Sequence, residues 1–165
     1  YVQFPILSIT IAATIISAQA IGAGRNEQLG AVTATALVIH VVMVGSLALL
    51  AYVFSRPIIG FFITSAPVIE QARSPLSFVL WGIIASGVGS VLSSVMRAGG
   101  VVLVPAAISI VALVMLQVPL AYVLSQRFGF DGIWIAYFAG WMVNAGLQAA
   151  YYLMVWRKSG LRKLV

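Results

Sequence analysis

Apolar residues run along this chain in five long blocks, at positions 4–24, 31–55, 76–96, 101–124 and 132–156, and none of the five contains an acidic residue. Each is close to the roughly 20 residues that a helix needs to cross a bilayer. Backbone N–H and C=O groups in hydrocarbon must be satisfied within their own segment, which predicts helices. A closed barrel would need shorter segments of alternating polarity, and the blocks do not alternate. The pattern predicts an all-α integral membrane protein, a bundle of about five transmembrane helices.

Short stretches with helix breakers join the blocks. Arg25-Asn26-Glu27-Gln28 connects spans one and two, Met96 to Gly100 connects three and four, and Gln126 to Gly132 connects four and five. The longest connection, 56–74, is apolar at first, with Ile58, Ile59, Phe61, Phe62 and Ile63. Ser65-Ala66-Pro67 then reads as a helix start capped by Ser65. Beyond it Val68, Ile69 and Ala72 interleave with Glu70, Gln71 and Arg73, which predicts a short interfacial helix over about 65–73. Pro75 should open span three, where a missing N–H costs little. Pro119, inside span four, should kink it.

Small residues recur every four positions within the blocks. Span three carries Gly82, Ser86, Ser90 and Ser94, flanked by Gly89 and Ser93; span one carries Thr10, Thr14, Ala18 and Gly22; span five carries Ala136, Gly140, Asn144 and Gln148. Such stripes allow close helix–helix approach in lipid. They read either as packing seams or, in part, as the lining of a water-filled cavity. Asn144 and Gln148 favour the cavity for span five, because an amide near the midplane needs partners or water. Serine hydroxyls decide less, since they can bond back to their own helix.

Composition bears out the solvent. Of 165 residues, 62% are hydrophobic and 7% charged, against about a quarter charged in a soluble domain, so the partner of most of this surface is the lipid bilayer. The chain has no cysteine, which removes disulfides, thiolate metal sites and cysteine nucleophiles. The net charge of +6 does not indicate nucleic acid, because the basic residues sit at span ends and form no continuous stripe. One side of the bundle would hold Arg25, Arg97, Arg157, Lys158, Arg162 and Lys163, the other Arg56, Arg73 and Arg127. By the positive-inside rule the C-terminus and the basic tail 157–165 face the cytoplasm, and Tyr1 faces outward. With no initiating methionine and no basic leader, this suggests a missing helix upstream.

Few groups carry chemistry at depth. His40 is the lone histidine, near the middle of span two, and reads as a hydrogen-bonded structural group or as a proton-linked one. The tryptophans, with Tyr122, Tyr151 and Tyr152, mostly fall near span ends as an aromatic belt. Trp141 and Tyr137 lie deeper, where they could touch a ligand by cation–π contact. No paired carboxylates, His–Glu metal spacing or nucleophile–base set occurs in the spans, which argues against an enzyme and against any catalytic or metal residue.

Three stretches together resemble one family. They are Ala18-Gln19-Ala20-Ile21-Gly22-Ala23-Gly24-Arg25, Val95-Met96-Arg97-Ala98-Gly99, and Pro119-Leu120-Ala121-Tyr122-Val123-Leu124 followed by Phe128-Gly129-Phe130-Asp131-Gly132-Ile133-Trp134-Ile135-Ala136. In order and spacing they are similar to the multidrug and toxic compound extrusion (MATE) transporters. Glycine supplies the backbone angles that end a helix, Arg25 and Arg97 suit helix C-termini, and Asp131-Gly132 reads as a turn placing a carboxylate at a helix start. The resemblance implies residues 1–165 as the C-terminal lobe of a two-lobe, twelve-helix transporter, spans 4–156 being helices eight to twelve.

It also implies an antiporter in a bacterial or archaeal cytoplasmic membrane, exporting small organic cations or drugs in exchange for sodium ions or protons. The coupling ion is not assignable from the residues, and no cofactor is implied. The partner would be an N-terminal lobe, in the same chain or in a second one. The chain departs from the family's reliance on intramembrane carboxylates, since Glu27, Glu70 and Asp131 all lie at span ends or in loops. The substrate-cavity candidates are Asn144, Gln148, Ser86, Ser90, Trp141 and Tyr137, with His40 as a proton-linked candidate. Two alternatives remain: a lipid-linked precursor flippase of the same superfamily, disfavoured because Arg25, Arg97 and Arg127 are all at span ends, and a non-transporting, partner-dependent membrane module.

Overall fold

The computed structural model describes residues 2–62 and 66–160, and these are almost wholly helical, with no strand. Helix α1 spans Gln3–Gly22, α2 Leu29–Val53, α3 Ser55–Phe62 and α4 Ala66–Ala98. Helix α5 (Leu103–Val111) passes through a π-helical segment, Ala112–Gln117, into α6 (Val118–Phe128). Helix α7 (Phe130–Tyr151) ends in a second π-helical segment, Tyr152–Gly160. Four stretches are long and apolar enough to cross a membrane: Gln3–Gly22, Asn26–Val53, Pro75–Ala98 and Leu103–Phe128. Helix α7 has the length, with 22 residues. Its aspartate, glycines, tryptophans and amides temper its hydropathy, and it carries the bundle's polar interior.

Helix α4 is central, packing against α1, α2 and α7, while α5 and α6 lean chiefly on α7. The largest buried cluster lies toward the end that bears Arg25 and Arg97. It joins Ala13 and Ala20 of α1, Leu29 and Ala36 of α2, and Val91, Leu92, Val95 and Met96 of α4 to Tyr152 and Trp156. Tyr152 and Trp156 are therefore core residues rather than members of an aromatic belt. Their rings stack at 5.3 Å. Trp156 fits against Gly99, where a Cβ would stand 3.0 Å from its ring. The Tyr152 hydroxyl donates to Thr33 Oγ1 at 2.9 Å, and Thr33 donates to Leu29 O at 2.7 Å.

Two helix ends share one kind of cap. After α1, Gly24 takes φ +70°, its N–H bonds Ile21 O, and the Arg25 N–H bonds Ala20 O. After α4, Gly100 takes φ +81°, its N–H bonds Arg97 O, and the Val101 N–H bonds Met96 O. Both are Schellman motifs, which satisfy the last carbonyls of a helix through a left-handed residue without a Cβ penalty. Gly22 is an ordinary helical residue, so the essential glycine of the first turn is Gly24.

The structure differs from the sequence expectation in four places. The interfacial helix over about 65–73 and span three are one helix, Ala66–Ala98, with Pro75 inside it. At 1.5 Å per residue its 33 residues span about 50 Å, more than a ~30 Å hydrocarbon core, so its first turns need not be in lipid. Pro119 comes two residues after the π-helical turn Ala112–Gln117, whose wider ring leaves room for an N–H-free residue. At the start of α7 the positive φ belongs to Gly129 (+59°), not to Asp131-Gly132. Gly132 is instead where α7 meets α6, since a Cβ there would collide with the Leu124 carbonyl. In α1 the buried stripe is Ile6, Ala13, Ser17 and Ala20; Ala18 and Gly22 are exposed. Ser65, expected as a cap, and Tyr1, Ile63, Arg162 and Lys163 lie outside the described residues.

Candidate functional site

Helices α4 and α7 run in the same direction and touch along the small-residue stripe of α4. Gly82 lies under the Trp141 indole, where a Cβ would come within 2.8 Å of Cζ3. Two turns on, a Cβ at Gly89 would meet Asn144 Nδ2 at 3.3 Å. With no Cβ in the way, an indole and an amide sit flush on the neighbouring helix. Ser90 donates back to Ser86 O at 2.9 Å and Ser94 to Val91 O at 2.7 Å. The Ser90 and Ser94 hydroxyls are thus satisfied within α4 itself, Ser90 by the Ser86 carbonyl.

The other side of the Asn144–Gln148 turn faces α5. Gln148 is fully buried. Its Nε2 donates to Pro105 O at 2.9 Å and to Ser109 Oγ at 3.3 Å. Ser109 Oγ lies 3.1 Å from Pro105 O and 3.3 Å from Asn144 Oδ1, so its one proton serves one or the other. Gln148 Oε1 is buried without a partner. An amide oxygen in an apolar surround loses about 1–3 kcal/mol when left unpaired, so this atom marks a place built for a donor. Ser109 was missed by sequence reasoning. Its position one helical turn after Pro105 was the available signal, because α5 and α7 could only be paired in three dimensions.

Tyr137 and Trp141 belong to a ladder of rings down α7. Phe130–Trp134, Trp134–Tyr137 and Tyr137–Trp141 are each 5.9 Å apart. The six candidates for one cavity therefore divide. Asn144 and Gln148 join Ser109; Trp141 seals α7 to α4; Tyr137 turns toward α6; Ser90 bonds back to Ser86 within α4.

His40 is fully buried between α2 and α4. Its Nε2 lies 2.9 Å from Ile84 O, and since a carbonyl only accepts, Nε2 carries the proton. Nδ1 is buried without a partner. The ring lies so close over Gly87 that a Cβ there would overlap its Cε1 and Nε2. The ring thus clamps α2 to α4.

The comparisons with known proteins agree with this architecture. The MatE family profile matches residues 1–123, three quarters of the chain. The chain belongs to the MatE family. Over its whole length this MatE chain is 36% identical to the probable multidrug resistance protein YoeA of Bacillus subtilis, of which it covers 36%. It is 22% identical to the probable multidrug resistance protein NorM of Thermotoga maritima, over 90% of the chain and 32% of that protein. A mutant of the MATE transporter VcmN of Vibrio cholerae superposes with a TM-score of 0.86 at 20% identity, over 97% of this chain and 37% of that one. The MatE chain is thus a multi-pass membrane protein that spans about a third of the length of the relatives it matches.

Proposed function

We propose that these residues form the C-terminal lobe of a secondary active exporter of small organic cations or drugs, an antiporter driven by sodium ions or protons, with its C-terminus in the cytoplasm. The reading is supported by the names of the two multidrug resistance relatives and by one observation in the structure. Asn144, Ser109 and Gln148 gather amide and hydroxyl oxygens in an otherwise apolar bundle, and Gln148 Oε1 awaits a donor. A substrate ammonium, or the water that escorts it, supplies that donor. His40 is sealed by α4 on the side of its one hydrogen bond, and its span carries no carboxylate. We therefore assign ion coupling to the part of the protein outside this chain, where the acidic groups missing from these spans would reside.

The test is drug resistance conferred on a hypersensitive host by the full-length transporter. Asn144→Leu should lower resistance at unchanged membrane expression. Equal resistance at equal expression would remove the amide cluster from the transport path.

A further inference from the structure

A groove of about 560 Å³ lies between α1 and α2, apart from the amide cluster of α5 and α7. Alanines hollow it out. Ala13 and Ala36 are buried at its base, and Ala12 and Ala31 are exposed along its sides, where longer side chains would fill it. One end is marked by Gln28, an exposed residue of the turn that joins the two helices. The Gln28 N–H donates to Arg25 O at 3.0 Å, so both residues belong to that one turn. From Gln28 the groove follows α2 to Ile39. At 1.5 Å per residue this stretch rises about 16 Å, half of a ~30 Å hydrocarbon core. Beyond it Ile6, Val44 and Ile83 draw α1, α2 and α4 together and close the seam. The space is therefore one leaflet deep. A helix packed on this face would follow a seam through the whole bilayer, whereas a fatty-acyl chain reaches from the headgroup level to the midplane. Charge then sets what stands at the mouth. Arg25, Arg97, Arg157 and Lys158 are exposed at this end of the bundle, and among the described residues Glu27 is the one acid there. Neither the Arg25 guanidinium nor the Gln28 side-chain amide has a hydrogen-bond or ion-pair partner among the described residues.

We infer that the α1–α2 groove is a site for an anionic glycerophospholipid. One acyl chain fills the groove and the second lies in the bilayer beside it. The phosphodiester sits on Arg25, whose planar fork matches two phosphate oxygens, and Gln28 Nε2 donates a further hydrogen bond. Basic residues at a membrane surface attract anionic headgroups in general; the groove beneath Arg25 turns that attraction into one defined place. A zwitterionic lipid brings the same chains and the same phosphate, but its own cation opposes the field of the four basic side chains. A phosphatidylglycerol headgroup has no such cation, and its hydroxyls donate to Gln28 Oε1.

The probe is dioleoyl-phosphatidylglycerol, titrated into the detergent-purified full-length transporter with dioleoyl-phosphatidylcholine as the comparison, and bound lipid is counted by native mass spectrometry. The first phosphatidylglycerol should bind about tenfold more tightly than the first phosphatidylcholine, the worth of one charge-assisted hydrogen bond. Arg25→Gln should erase that preference. Arg127→Gln, which removes the same charge at the opposite end of the bundle, should keep it. Ala31→Phe fills the groove and removes no polar group, and it should weaken the first phosphatidylglycerol at least tenfold. If Ala31→Phe fails to elute as a folded species, Ala12→Phe obstructs the same groove from α1 and decides in its place. Inorganic phosphate at the lipid's own concentration should leave the bound lipid where it is; displacement would mean a site for a free anion. That displacement, equal affinity of the wild type for the two lipids, or wild-type phosphatidylglycerol binding in Arg25→Gln or in the folded groove-filling variant overturns the assignment. The last result is the one expected if another helix of the full-length transporter already occupies the groove. None of these readouts depends on what the transporter moves.

Discussion

Replacing Gly87 by alanine should separate α2 from α4. A Cβ at that position would overlap the His40 ring at Cε1 and Nε2 and stand 2.7 Å from Nδ1, closer than real Cβ atoms approach their neighbours. His40 cannot swing aside cheaply, because it is fully buried and its Nε2 is held at 2.9 Å by Ile84 O. Either the helices part or the ring rotates and abandons its bond. Overpacking of this kind costs about 1–3 kcal/mol, and a lost buried hydrogen bond adds ~1 kcal/mol, so Gly87→Ala should cost about 2–4 kcal/mol. His40→Ala empties a buried site and should itself cost about 2–4 kcal/mol, by analogy with other large-to-alanine changes. The double variant is the informative one. With the ring gone, the methyl introduced at position 87 enters free space, so the pair should be no less stable than His40→Ala alone. The coupling would then equal nearly the whole Gly87→Ala penalty, far above the ~0.5 kcal/mol within which independent sites add. Thermal or denaturant unfolding of the four proteins in one mild detergent gives the cycle. Additive effects, or a Gly87→Ala protein as stable as wild type, would refute the clamp.

Gly132→Ala should destabilise by ~2 kcal/mol or more, because its Cβ would strike the backbone carbonyl of Leu124, which has no rotamer to change. Gly146→Ala is its control: nothing lies within 4 Å, so the helix preference for alanine should make it neutral or slightly stabilising in the same melts. Tyr152→Phe should cost ~1 kcal/mol through the lost bond to Thr33, whose own proton still goes to Leu29 O. A loss indistinguishable from zero in that melt would mean that the hydroxyl is not sequestered.

Much of this was legible in the sequence. The apolar blocks coincide with the long helices because a bilayer leaves the backbone no other solution, and the Ala136–Gly140–Asn144–Gln148 stripe faces inward along α7. Glycine positions announced the two capped turns, although which glycine took the positive φ depended on where each helix ended. Other features were not local. That Tyr152 and Trp156 are core rather than belt depends on Gly99, far earlier in the chain, leaving a space that only the folded bundle creates. Small residues in α1 misled for the opposite reason. Thr10, Thr14, Ala18 and Gly22 keep the right spacing, yet Ala13, Ser17 and Ala20 are the ones turned inward, and periodicity alone does not say which of two neighbouring stripes meets a partner. The division of the six site candidates was likewise invisible, since which face of α7 meets α4, α5 or α6 is a property of helix order in space.

The paired Schellman turns give the bundle a fixed depth scale. Helices α1 and α4 are parallel neighbours, and each is halted at the same end by a glycine in a left-handed conformation with two backbone bonds folded over its last carbonyls. These stops are set by backbone geometry, so at that end neither helix can lengthen or fray to follow a thicker or thinner membrane. A change in bilayer thickness then favours tilting of the group against the normal. Lipid mismatch would then act on this bundle as a rotation.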